Sequence, residues 1–198
     1  MSLVAANLGK RFNRDWIFRN FNYQFDPGHY VVTGPNGSGK STLLQVLWGQ
    51  MQPSTGTVTW PNVAPEAYFQ QVSIAAPYMD LIDEFTLEEM VRFHFKFKKC
   101  RLPLGQVFER INLPNAQDRP IASFSSGMRQ RLKLALAFYA DTDALFLDEP
   151  CTNLDQKATE WYHEQLRELQ RRKIVIDASN QESEYPADAV KIDILSFK

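Results

Sequence analysis

After the apolar run Trp16-Ile17-Phe18, the residues Phe21, Tyr23 and Phe25 alternate with Asn20, Asn22 and Gln24. A period of two marks a strand buried on one face, and Asp26-Pro27-Gly28 supplies the turn that leads out of it. The next run, Tyr30-Val31-Val32-Thr33, is short and β-branched, and Leu43-Leu44-Gln45-Val46-Leu47-Trp48 further on is helix-like. Gln52-Pro53-Ser54-Thr55-Gly56 predicts a turn into an edge strand, Thr57-Val58-Thr59-Trp60, and Val72-Ser73-Ile74-Ala75-Ala76 predicts another strand closed by Pro77. The pattern then changes. Thr86-Leu87-Glu88-Glu89 has the spacing of a capping box, residues 90–97 continue it as a helix, and a second helical piece over 104–113 ends before Pro114. Residues from about 78 to 123 therefore read as a helical insertion whose aromatic stripe is its own core. Residues 125–140 carry Leu132, Leu134, Ala135, Leu136 and Phe138 on a helix that opens Ser-Ser-Gly. The apolar run Ala144-Leu145-Phe146-Leu147 follows and ends in Asp148 and Glu149, as a buried parallel strand does when it delivers carboxylates to its C-terminal edge. A polar helix over 156–172, a strand over 173–176 and an alternation through Val190, Ile192 and Ile194 come last. No internal repeat or low-complexity tract is present.

The chemistry concentrates where the short β-branched run meets the first helix. Gly34-Pro35-Asn36-Gly37-Ser38-Gly39-Lys40-Ser41-Thr42 fits the phosphate-binding loop pattern of glycine, four residues, glycine, lysine and a hydroxyl residue, and its strand and helix flanks stand in the required order. Gly34, Gly37 and Gly39 allow backbone conformations closed to other residues, so that successive amides converge on a polyphosphate at the positive end of a helix. Asn36, Gly37, Ser38, Gly39, Lys40, Ser41 and Thr42 are thus the candidate nucleotide-binding residues. Lys40 reaches the β- and γ-phosphates as a point charge, and Ser41 ligates a magnesium ion bridging the same oxygens. With this loop upstream, Asp148 is the second magnesium residue, held directly or through water, and Glu149 polarises the attacking water. Phe12 either stacks on a flat base or simply packs.

Length, charge and cysteines narrow the setting. A chain of 198 residues accommodates one nucleotide-binding domain with a small inserted subdomain. The formal net charge is −1, and the basic residues are scattered apart from Lys96-Lys98-Lys99-Arg101 and Arg171-Arg172-Lys173. That argues against nucleic acid as a partner, which normally needs a concentrated basic patch. Cys100 and Cys151 read as reduced cytosolic thiols, and His29, His94 and His163 lack metal-ligand spacing. Met1-Ser2-Leu3-Val4 has no leader pattern, and no apolar run approaches membrane-spanning length. A soluble protein is expected, reaching a membrane only through a partner.

Four pieces in order make the chain resemble the ATP-binding cassette ATPases over nearly its whole length. They are the phosphate loop, Phe124-Ser125-Ser126-Gly127-Met128 followed by Arg129-Gln130-Arg131 like the signature motif, Leu147-Asp148-Glu149-Pro150 like the Walker B strand, and Thr152-Asn153-Leu154-Asp155 like the D-loop. The resemblance implies an α/β fold over residues 1–198: a P-loop NTPase core of mostly parallel sheet flanked by helices, a small antiparallel β subdomain, and the helical insertion at about 78–123. It implies two copies packed head to tail, so that Ser125 and Gly127 of one meet the γ-phosphate bound by the other, with Asp155 in the D-loop between them. It implies transmembrane transporter subunits as partners, and hence a position at the cytoplasmic face of the membrane. Three departures stand out. Tyr78 occupies the usual glutamine position, Asn180 the usual histidine position, and Ser126 and Met128 replace a glycine and a glutamine of the signature. Tyr78 and Asn180 fall where the γ-phosphate and its water are handled, so slow turnover is expected.

The function expected is therefore that of an ATP-hydrolysing transporter subunit, similar in outline to small exporter ATPases. The alternatives are a soluble cassette ATPase acting on ribosomes or DNA, whose members typically have two cassettes or long coiled-coil insertions, and a nucleotide-binding regulatory subunit with weak turnover, which the intact Glu149 opposes.

Overall fold

The computed structural model describes residues 2–61 and 63–198, without the side chain of Ser183; Met1 of the opening tetrapeptide lies outside it. Two sheets share the chain. Strands β1 (Leu3–Phe12), β2 (Asp15–Phe25) and β4 (Thr55–Thr59) form an antiparallel sheet in the order β2-β1-β4. Strands β3 (Gly28–Thr33), β5 (Val72–Ala75), β6 (Ala144–Asp148), β7 (Ile174–Ala178) and β8 (Val190–Asp193) form a parallel sheet in the order β5-β6-β7-β3-β8. Helix α1 (Lys40–Leu47) follows β3. Helices α2 (Leu87–Phe97) and α3 (Leu104–Ile111) fill the interval before α4 (Ser126–Tyr139), and α5 (Gln156–Leu169) joins β6 to β7.

The period-two pattern of β6 explains how the layers pack. Leu145 and Leu147 face a core built with Leu132, Leu136, Phe138 and Tyr162 of α4 and α5 and with Val91 and Val107 of the insertion. Ala144 and Phe146 face the opposite core, where Leu43 and Leu47 of α1 meet Phe18, Phe21 and Phe25 of β2. Burial on both faces requires a helix layer on each side of a parallel sheet, as observed.

Caps fix the helix starts. Thr86 and Glu89 complete the capping box: Glu89 N–H donates to Thr86 Oγ1 at 3.2 Å and Thr86 N–H to Glu89 Oε2 at 2.8 Å. Ser125 caps α4 by accepting from Met128 N–H at 3.2 Å, and Asp155 caps α5 by accepting from Ala158 N–H at 2.7 Å. Because all five strands of the larger sheet run the same way, the loops after β3, β5, β6 and β7 leave from one edge. The sheet thereby brings Lys40, Tyr78, Glu149 and Asn180 to the crevice where open parallel sheets bind ligands.

Candidate nucleotide site

The loop between β3 and α1 is set by its last glycine. Gly39 is the N-cap of α1 at φ +101°, and a Cβ there would overlap Cγ2 of Ile17 on β2. Any other residue would meet both backbone strain and a clash. Lys40 is buried at the start of the helix, and its Nζ donates to the carbonyls of Gly34 at 2.8 Å and Pro35 at 3.3 Å. Burial lowers its pKa, while the charges of Glu149 and Asp148 oppose that shift. Ser38 is also buried, and its Oγ has no hydrogen-bond partner among the described residues.

At the second residue of α1, Ser41 Oγ donates to Asp148 Oδ1 at 3.0 Å. Two hard oxygen donors are thus side by side, from a helix and a strand 107 residues apart in the chain. Burial pushes the Asp148 carboxyl up to about 6, against the opposing hydrogen bond from Ser41, and the charges of Glu149 and Asp177 raise it further. A carboxylate disfavoured by desolvation gains from a cation beside it. The pair therefore fits a hard divalent ion such as magnesium, which takes few protein oxygens.

Glu149 sits just beyond the end of β6 with φ 49°, left-handed for a side chain that rarely adopts it. Its N–H donates to Ala178 O at 3.1 Å, prolonging the contact of β6 with β7 by one residue, while its O accepts from Thr152 N–H at 3.3 Å. The turn leaves the carboxylate exposed at the sheet edge next to the buried Asp148. Asn180, two residues past β7, donates through Nδ2 to Oδ1 of Asn36 at 2.6 Å, so the position expected for histidine does meet the phosphate loop. Tyr78 is exposed; partial burial and the nearby Asp148 charge raise its pKa, while the Gln45 side chain acts to lower it.

The sequence reading passed over Gln45, although it lies four residues after Ser41 and so on the same face of α1, a spacing that could have marked it. It also passed over Asp177. That carboxylate is fully buried on β7, accepts from the Tyr162 hydroxyl at 3.1 Å, and lies 3.8 Å from His29 Nε2. The signature and D-loop segments meet directly: a Cβ on Gly127 would come within 2.8 Å of Asn153 O. Gln130 Nε2 adds a bond of 2.7 Å to Pro150 O, tying the signature helix to the residue after Glu149. Phe12 is half exposed at the end of β1, with Lys10 Nζ 5.2 Å from its ring centroid, and so presents a face rather than filling the core.

The family model described as "ABC transporter" matches residues 18–152, which include the phosphate loop, Ser125, Gly127, Asp148 and Glu149. The chain belongs to this family. Two curated relatives illustrate its range. The Nod factor export ATP-binding protein I of Burkholderia orbicola (strain AU 1054) is 32% identical over 177 residues, covering 84% of this chain and 58% of its own length. The cytochrome c biogenesis ATP-binding export protein CcmA 2 of Cupriavidus metallidurans is 30% identical over 201 residues, covering 97% and 94%. This ABC chain thus spans less than two thirds of the first relative and nearly all of the second. Among solved structures, a putative ABC transporter ATP-binding protein from Pyrococcus furiosus superimposes with a TM-score of 0.86 at 17% identity, covering 100% of this chain and 99% of its own. A dimeric bacterial ABC transporter cassette gives 0.80 at 20% identity, covering 96% and 94%. At these identities the likeness is one of fold.

Proposed function

We propose that this chain is the ATP-binding and ATP-hydrolysing subunit of an ABC membrane transporter and works as a head-to-tail dimer. The observation that carries the reading is the convergence of Lys40, Ser41, Asp148 and Glu149 at one sheet edge, with hydroxyl and carboxylate already paired. Lys40 and the amides at the start of α1 bind the β- and γ-phosphates, and Phe12 offers a stacking face to the base. Ser41 and Asp148 hold magnesium, which when bound neutralises charge on the phosphate oxygens. Glu149 orients the attacking water and accepts its proton. Ser125, Gly127 and Asp155 belong to the surface that faces the second copy; Ser125 and Asp155 are exposed there although each also caps a helix.

The membrane side of the reading rests on a different surface. Among the described residues no helix is long and apolar enough to cross a membrane, so attachment would come through separate membrane subunits at the cytoplasmic face. Tyr78 and Met79 are exposed beside a largely apolar cleft of about 500 Å³ that also takes in Trp48, Phe69 and Ile74. An uncovered apolar patch of this kind suits a protein partner. No nucleic-acid partner is proposed. The fit of the chain to nearly the full length of an export ATPase favours this reading over a ribosome- or DNA-directed one.

ATP with magnesium is expected to convert the protein to a dimer at micromolar concentration, where ADP does not. Light scattering tests this, and a monomer under both conditions would overturn the head-to-tail model. Turnover is expected to be slow because Asn180 donates only from a neutral amide, already engaged with Asn36. A protonated histidine there would add a charge-assisted bond to developing negative charge. Losing a well-placed donor costs about a hundredfold to a thousandfold in rate, so partial replacement costs less, about tenfold to a hundredfold. Asn180→His should therefore raise the steady-state ATPase rate at nearly constant ATP affinity. A flat or lower rate, with Tyr78→Gln behaving likewise, would mean that the two departures are compensated locally.

A further inference from the structure

The segment after β8 grips the phosphate loop from outside. Residues Ile194–Phe197 form a 3-10 turn, and Lys198 follows it. Ile194 packs at one end of the loop: its Cγ2 lies 2.6 Å from where a Cβ on Gly34 would stand. At the other end Lys198 Nζ donates to Ser38 O at 2.7 Å and to Ile17 O of β2 at 2.9 Å. The segment is itself anchored. Arg19 Nε donates to Lys198 O at 3.1 Å, and the Phe197 ring meets Phe21 edge-on at 4.8 Å between centroids.

We propose that Lys198 is a positioning residue for the nucleotide site, holding the peptide between Ser38 and Gly39 in its phosphate-binding orientation. Peptide geometry gives Lys198 this role, provided that the loop binds nucleotide as proposed above. In a planar trans peptide the carbonyl and the following N–H point in opposite directions. Fixing Ser38 O outward against an ammonium therefore turns the Gly39 N–H the other way, toward the interior of the loop, where α1 begins. The loop needs such a hold because Gly34, Gly37 and Gly39 all have positive φ, and glycines lose the most conformational freedom on ordering. Lys40 restrains the same loop from within through Gly34 O and Pro35 O, and those bonds compete with its work on phosphate. Lys198 bonds only the outer side and can keep its contacts throughout binding. A loop ordered in advance does not lose binding free energy to ordering when the nucleotide arrives.

The test is equilibrium binding of ATP and of ADP, each with magnesium, to the full chain and to Lys198→Met and Lys198→Arg, together with steady-state ATPase kinetics. Methionine keeps the apolar stem without the donors, while arginine keeps donors and charge. Lys198→Met is expected to weaken both nucleotides about tenfold, as loss of the charge-assisted bond to the loop at Ser38 O would. KM should rise with little change in kcat, and Lys198→Arg should recover most of the affinity. Unaltered affinity in Lys198→Met overturns the proposal, as does equal weakening by both variants, which would indicate disturbed packing rather than a lost donor. If the unaltered protein binds neither nucleotide, the nucleotide reading falls and takes the proposal with it. Tight binding by the unaltered protein, matched by Lys198→Met, removes the proposal alone.

Discussion

Glu149→Gln is expected to cut steady-state ATP turnover by about a hundredfold or more while leaving ATP binding nearly intact, and so to accumulate the ATP-bound dimer. A positioned general base contributes about a hundredfold to ten-thousandfold in rate, and glutamine keeps the size of glutamate but cannot take the proton. The change is mild for the fold. The side chain is exposed, and the left-handed turn is held by backbone bonds, Glu149 N–H to Ala178 O and Thr152 N–H to Glu149 O, which the substitution preserves. It also removes one of the two carboxylate charges that favour the ammonium form of Lys40 against its burial, a support that the phosphate charges of ATP would take over on binding. Phosphate release measured alongside light scattering separates the two halves of the claim. Turnover within a few-fold of the unaltered protein would remove Glu149 from the role of base.

Lys40→Ala should be the most damaging change to binding itself. The ammonium has two loop carbonyls as partners, at 2.8 and 3.3 Å, which phosphate oxygens would replace under the proposed function. A hydrogen bond to a charged group contributes about 1.5–3 kcal/mol, so losing the contacts of Lys40 to the β- and γ-phosphates is expected to weaken ATP by about a hundredfold or more. Phe12→Ala provides the contrast. Stacking contributes about one to three kcal/mol per base and is tolerant of base identity, so this variant should lose ATP and GTP affinity alike. Calorimetric titration with both nucleotides distinguishes the two effects. ATP binding by Lys40→Ala at the unaltered affinity would show that the loop does not bind phosphate through this lysine. No loss in Phe12→Ala would move the stacking role to Trp16, which also carries a cation, Arg11, 5.5 Å from its ring centroid.

The features legible in the sequence are those governed by neighbours along the chain. The strand, loop and helix around Lys40, the capping box at Thr86 and the apolar strand ending at Asp148 are dictated by φ preferences, side-chain periodicity and cap chemistry, all of which act over a few residues. The two-sheet α/β architecture was expected from the family resemblance that these motifs carry. The first strand, Leu3–Phe12, was not legible, because register shifts in its pairing with β2 and a left-handed Asn7 break the alternation that would have marked it. Nor was the full length of β7, which runs on through Asp177 to Ala178. A charged residue reads as the end of a buried strand unless its partners are known, and here they are Tyr162 and His29 from two other elements. The bond of Lys198 to Ser38, 160 residues away, belongs to the same class. Such contacts depend on how distant segments pack, and neither segment carries a local pattern for the other. The sequence alone therefore determined the local elements that carry Lys40 and Asp148, while tertiary packing decided which distant side chains meet that loop and those carboxylates.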